Sequence, residues 1–251
     1  CAAAGSMALA LGIATATAAD TNMSLTAEIG GYDVSGNEGA FRSTRGIADG
    51  MSGGITRFTY KNDKYTVSGR AMAGQNDYDL SLATPLTDKT EFNVKLTRYE
   101  RYYDDVGGYF KGFSPDSYAL GRDLKAEIGS ASIGLVRADA EDRCPDLSLG
   151  YEFNYKDGVK TLLGWNAIKQ GSITKYIYPA TKDVDEKTHT IRGGISHDIG
   201  GYSLADNVEF EIYDNRVERS DLVPAAIAGT AVDSGHPETD NFKHKRLANV
   251  F

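Results

Sequence analysis

No stretch of this chain approaches the roughly 18 consecutive apolar residues that a membrane-spanning helix needs, and mean hydropathy is only −0.38. That excludes a helical membrane bundle. It leaves a transmembrane β-barrel open, because barrel strands are short, alternate in polarity and give a weak hydropathy signal. Tryptophan occurs once and proline six times. The two cysteines, Cys1 and Cys144, make no disulfide framework. Neither stands in a Cys-x-x-Cys-His motif, so no c-type haem is attached to this chain. Basic character is also lacking: the formal net charge is −8, the wrong sign for a nucleic-acid surface. Histidine is scarce too. His189 and His197 fall in one strand-like run, roughly 26 Å apart at about 3.3 Å per residue, and His236 and His244 form no metal-binding spacing with them. No cofactor and no metal site are expected.

What the chain has instead is tyrosine, phenylalanine and glycine, with 15, 9 and 28 copies in 251 residues, and a period of two. Leu149, Tyr151, Phe153 and Tyr155 alternate with Ser148, Gly150, Glu152 and Asn154. Lys156-Asp157-Gly158 then reads as a hairpin turn, after which Val159, Thr161, Leu163 and Trp165 resume the alternation. Leu80 and Leu82 lead to a turn at Thr87–Thr90, followed by Phe92, Val94 and Leu96. Phe58 and Tyr60 lead to a turn at Lys61–Lys64, followed by Val67 and Gly69. Val208, Phe210 and Ile212 alternate with Glu209 and Glu211. The runs Leu124–Arg137 and Thr190–His197 read as further strands. The pattern predicts about ten to twelve strands of roughly 8–11 residues, the length of a tilted strand crossing a bilayer. Long polar connections are expected over Tyr102–Asp123, Gln170–Lys187 and Arg216–Asn241, with one short helix over Leu222–Val232.

The polar strand positions carry both signs of charge. Arg70, Glu91, Lys95, Glu152, Arg192, Glu209 and Glu211 all lie mid-strand, opposite apolar neighbours. In a soluble sandwich that face is the solvated outside; in a barrel it lines water and the apolar face meets lipid. Tyrosines near strand ends (Tyr60, Tyr65, Tyr78, Tyr99, Tyr151 and Tyr155) suit the aromatic girdle of a barrel. The reading is therefore an all-β fold, an antiparallel transmembrane β-barrel or part of one, with those seven residues as candidate lumen lining and outer-membrane lipid as a partner.

Residues 1–19 differ from the rest. They are uncharged and Ala-rich, with Met7–Ile13 as an apolar centre and Ala16-Thr17-Ala18-Ala19 as a small-residue cleavage site. This reads as the remnant of an export signal, with residues 20–251 as the barrel. No catalytic constellation emerges, so no enzyme is expected. Gly50-Met51-Ser52-Gly53-Gly54 has Gly-x-Ser-x-Gly spacing, but a nucleophile elbow needs a helix after the serine, and Ile55-Thr56-Arg57-Phe58 reads as strand. Asp33–Glu38 lacks the glycine and the distal glutamate of a calcium loop. Asp104-Asp105 and Asp139–Asp142 read as solvated loops.

The segment Gly31-Tyr32-Asp33-Val34-Ser35-Gly36-Asn37-Glu38-Gly39-Ala40-Phe41-Arg42, with Arg45–Gly50, resembles the first strand and loop of the decahaem-associated outer-membrane proteins, the MtrB/PioB-type family. The likeness continues through Tyr65–Ala71, Gly74–Leu80, Gly193–Asp198 and Phe210–Arg219. Ser43-Thr44 departs from the bulkier or acidic residues usual there, and family barrels are longer. The resemblance implies a barrel that sheathes a multihaem c-type cytochrome and insulates an electron path across the outer membrane. A diffusion porin, or a soluble secreted β-sandwich that binds ligand, are the alternatives.

Overall fold

The structure is a computed structural model. It describes residues 4–18, 21–36, 38–46, 50–73, 76–103, 106–111, 114–119, 124–138, 144–166, 176–221 and 238–250. The chain forms β1 (Ala4–Ala18), β2 (Thr21–Val34), α1 (Glu38–Arg45), β3 (Gly50–Lys61), β4 (Thr66–Ala73), β5 (Asp77–Thr87), β6 (Thr90–Tyr102), β7 (Val106–Lys111), β8 (Ser114–Ala119), β9 (Lys125–Arg137), β10 (Asp146–Asn166), β11 (Tyr176–Ile199), β12 (Tyr202–Asp221) and β13 (Glu238–Val250). These strands make one antiparallel sheet in the order β1-β2-β3-β4-β5-β6-β9-β10-β11-β12-β13, with the β7–β8 hairpin set against β11. The all-β antiparallel class read from the alternation is the class observed. None of the described helices is long and apolar enough to cross a membrane, which says nothing of strands.

A period-two sequence puts alternate side chains on opposite faces, and the register decides which residues share one. A single cross-strand row runs from Met23 through Tyr60, Leu82, Val94, Tyr151 and Ile191 to Leu247. The next row, on the other face, runs from Ser24 through Ser81, Lys95 and Glu152 to Glu211 and Arg246. One face is thus apolar across the sheet and the other polar. The apolar face is not a core: Ile191 is 48% exposed and Leu149 60%. Among the described residues the buried apolar side chains are few (Met72, Tyr102, Leu124, Ala126, Val184 and Val217), and every strand belongs to the one sheet.

Several expectations need correction. Lys156-Asp157-Gly158 is no turn; β10 passes straight through it for 21 residues. Asp157 and Gly158 pair with Glu127 and Ala126 of β9 on one side and with Asp185 and Val184 of β11 on the other. With ladders available on both sides, the backbone satisfies its hydrogen bonds by continuing. β11 and β12 are likewise 24 and 20 residues long, beyond the expected 8–11; β11 takes up most of the connection predicted at Gln170–Lys187, and β12 and β13 take up the two ends of the one predicted at Arg216–Asn241. The Tyr102–Asp123 connection contains β7 and β8. Helix α1, unforeseen, packs Phe41 against Tyr32, with ring centroids 6.0 Å apart, and sets Arg42 over the Tyr102 ring. Ser52 lies inside β3, with strand on both sides and no elbow. Tyr99 falls on the polar face, opposite in parity to the other girdle tyrosines. Ala4–Ala18, within the stretch 1–19 read as an export leader, pairs with β2 as β1, a placement that has no bearing on export. The helix expected at Leu222–Val232, the clusters Asp104-Asp105 and Asp139–Asp142, the Ala19 cleavage position and His236 lie outside the described residues.

Gly158 is required where it stands. Its φ is +140°, and a Cβ there would come within 2.2 Å of the Lys125 carbonyl oxygen and 2.7 Å of the Ala126 Cα. Both contacts are backbone, so neither can swing aside. Gly158→Val is expected to cost about 1–3 kcal/mol in urea unfolding; an unchanged midpoint would contradict this close approach of β9 and β10.

The two ends of the sheet differ. β3–β4, β5–β6, β9–β10 and β11–β12 connect at one end through short segments, the last through Gly200-Gly201 alone. At the other end β2–β3, β6–β9 and β12–β13 connect through 15, 22 and 16 residues, while β10–β11 there spans nine, close to the eight of β9–β10, and β4–β5 only three. The short turns also descend in steps. The β3–β4 strand ends, Lys61 and Thr66, share a row with Arg192 and Glu209. The β5–β6 ends reach the row of Ile195, and β11–β12 run on to Ile199 and Tyr202. That is about seven residues over six strand steps, or about 23 Å along for about 29 Å across, a slope of about 39° at standard strand spacings.

Candidate functional site

The polar face carries an ionic ladder across β10–β13. The Arg192 guanidinium is directly opposite Glu209 and bonds it through Nε at 2.9 Å. Its Nη1 reaches diagonally to Glu152 on β10. Glu209 also takes Arg246 of β13, whose guanidinium lies 4.0 Å from Glu211. Five side chains from four strands therefore alternate in sign, Glu152–Arg192–Glu209–Arg246–Glu211. The arrangement follows from the alternation, because each residue sits opposite or diagonal to its partner on a surface where such pairs meet. All remain partly open to solvent, Arg192 at 54%, so solvent screening keeps the contribution of each pair to stability small.

All seven candidate lumen residues share this face. Glu152, Arg192, Glu209 and Glu211 meet in the ladder. Lys95 stands between Ser81 and Ser132 in the register, and Arg70 pairs with Asp77 at 3.0 Å. Glu91 lies one row from the β5–β6 turn. The sheet does not bring these last three to the ladder. Between the charges lies a hydroxyl stripe: the Ser68 and Ser81 Oγ atoms are 2.6 Å apart, as are the Thr97 and Ser130 hydroxyls. Arg246 was missed. It belongs to the basic run Lys243–Arg246, and only its pairing opposite Glu211 separates it from Lys243 and Lys245, which point to the apolar side. No family model, curated protein or solved structure matches the chain, so the geometry has to carry the reading. Among the described residues no group of His, Cys, Asp and Glu is placed to hold a metal.

The apolar face has its own organisation. Leu149, Tyr151, Phe153 and Tyr155 lead along β10, and the Tyr151 hydroxyl lies 2.8 Å from His189 Nδ1. A groove of about 550 Å³ runs between Phe58, Leu80, Leu96 and Tyr155 over Gly69 and Ala131. At Tyr155 the chemistry changes. Its hydroxyl donates to Glu127 Oε1 at 2.5 Å, and Glu127 also pairs with Arg98. Beyond this row Lys125 and Tyr102 bond Glu100 at 3.0 and 2.8 Å. Burial pushes the Glu100 carboxyl up, but hydrogen bonds from Asn76, Lys125 and Tyr102 outweigh it and hold the group below its ordinary range.

Further along the same face Asp157, Asp183, Asp185, Arg216 and Glu218 gather around a hollow of about 300 Å³. Desolvation, and then Asp185 and Asp183 across the strands, push the Asp157 carboxyl upward. A carboxyl raised in the folded state disfavours folding while ionised, and that cost disappears as pH falls through the raised value. Asp157→Asn is therefore expected to stabilise the protein at neutral pH and to lose its effect below the carboxylate range. Urea unfolding at the two pH values checks this; a gain that persists in acid would point to packing instead.

Proposed function

We propose that this chain forms wall of an outer-membrane β-barrel whose apolar face meets lipid and whose polar face encloses a multihaem c-type cytochrome, as a non-enzymatic sheath for electron transfer across the membrane. The apolar band carries the membrane part of this reading. On β10 it runs from Leu147 to Tyr155 and on β11 from Ile199 to His189, about nine to eleven residues per strand, the length that spans a hydrocarbon core at a tilt. The descent of the short turns agrees. If those turns lie in one membrane plane, the strands tilt about 39°, within the range of about 35–45° found in barrels. The three longest connections, β2–β3, β6–β9 and β12–β13, all lie at one end, in keeping with the barrel layout. A soluble sandwich would need a second sheet over Leu149 and Ile191, and no described strand lies there.

The choice of occupant rests on the resemblance at Gly31–Arg42 and on the ladder, a mixed-charge wall on which a protein surface seats through polar contacts. The partial solvent exposure of the same ladder also suits a water-filled diffusion porin, the second reading. Purification in mild detergent from the native membrane, followed by haem-stained electrophoresis, separates them. A multihaem band at fixed stoichiometry supports the sheath. A haem-free barrel, with the neighbouring genes expressed, leaves the porin. Release of the chain by carbonate washing would remove both.

A further inference from the structure

The face pattern of β10–β12 inverts partway along the strands. Up to the row Tyr155–Lys187–Asp214–Lys243, one face carries Leu149, Phe153, Ile191, Phe210 and Ile212, while the other carries Glu152, Arg192 and Glu209. Beyond it the first face carries Asp157, Asp183, Asp185, Arg216 and Glu218. The second now carries the row Ala126–Gly158–Val184–Val217, with Ala126 and Val184 each 2% exposed and Val217 8%. The strands are unbroken across the change, so no residue slips register and the sheet does not turn over. The solvent outside them has changed. Lipid asks for apolar side chains outward, whereas water asks for charge outward and apolar groups packed inward.

The border row has the composition of an interface. Tyr155 presents a ring with a bonded hydroxyl, Lys243 pairs with Asp214 at 2.8 Å, and Lys187 pairs with Asp185 at 2.9 Å. The border also shifts along the strands across the sheet, as the short turns do: on β2 the apolar positions continue past the Tyr155 row to Ile29, which is 38% exposed.

We infer that the bilayer covers only this slanted band, and that β10, β11 and β12 leave it at the Tyr155 row and continue as a wall in water on the side of the long connections, the outer surface of the cell. The inference rests on the barrel reading and adds its boundary and its orientation. Eleven residues of β10, eleven of β11 and seven of β12 stand beyond the border, roughly 36 Å for the first two and roughly 23 Å for the third at strand rise. The outward face of this wall is charged. Its inward face is buried at Ala126, Val184 and Val217, and the β7–β8 hairpin extends the sheet beside β11 at Ile177.

Single cysteines in the full chain, with Cys1 and Cys144 replaced by Ser, test this with a membrane-impermeant maleimide on intact cells. Each variant is first checked for retention in carbonate-washed membranes. Asp183→Cys and Glu218→Cys should label in intact cells. Asp88→Cys, at a short turn, should label only after the outer membrane is permeabilised. Leu149→Cys and Ile191→Cys should stay unlabelled in both. Protection of positions 183 and 218 equal to that of 149 and 191 would put the wall inside the bilayer and overturn the inference. Labelling of 183 and 218 only after permeabilisation would overturn the orientation. Labelling of 149 and 191 in intact cells would sink the barrel reading itself.

Discussion

Ile191→Arg should destabilise the protein by about 2–4 kcal/mol in lipid, the cost of a basic side chain at the midplane of a barrel's outer face. Ile191 is central in the apolar band, with Tyr151 opposite it on β10 and Phe210 on β12. Asp183→Arg, on the same strand and the same face but past the border row, should change stability by no more than about 0.5 kcal/mol. It adds a cation beside Asp157 and Asp185 rather than to hydrocarbon. The pair is informative because both sites are open to whatever lies outside the sheet. In a soluble protein a half-exposed isoleucine replaced by arginine would be nearly neutral. Urea unfolding in vesicles, read by heat-modifiable mobility on gels, measures both. Equal and small effects at the two positions would refute the lipid-facing band.

The second large effect is expected at Arg192→Glu. The ladder has three carboxylates and two guanidiniums, and Arg192 is bonded to Glu152 and Glu209 at once. Reversing it removes both pairs and sets three carboxylates against one another on adjacent strands. On a surface this exposed the stability cost stays on the order of 1 kcal/mol, so the larger change is in potential. If the face lines an aqueous channel, the reversal potential in a planar bilayer should move toward cations, and Glu209→Gln should move it the other way. If the face seats a cytochrome, Arg192→Glu should lower the haem that co-purifies while the barrel remains in the membrane. Unchanged selectivity together with unchanged haem would remove the ladder from the function.

Much of this was legible before the chain was folded. The alternation around Tyr151 and Glu152 assigns side chains to faces through a period set by the backbone of one strand, so seven residues picked from alternation alone fall on one side of the sheet. The turns expected at Lys61–Lys64 and Thr87–Thr90 carry their own chemistry for the same reason, and the chain does turn there, between Lys61 and Thr66 and between Thr87 and Thr90. Asp157-Gly158 carries the same signal and was misread. Whether such a pair turns or continues depends on the ladders offered by β9 and β11, and those come from distant sequence.

The sequence by itself determined the fold class, the two faces and the identity of most charged residues on the polar one, because those follow from local alternation. Tertiary structure decided the rest. Register brings Arg246 beside Glu209 across a long connection, and register lines up Ala126, Val184 and Val217 from three strands in one buried row. The descent of the turns exists only once the strands are aligned. Each of these is a relation between segments far apart in the chain, and pairing energy summed over a whole ladder, rather than the preference of any one residue, selects it.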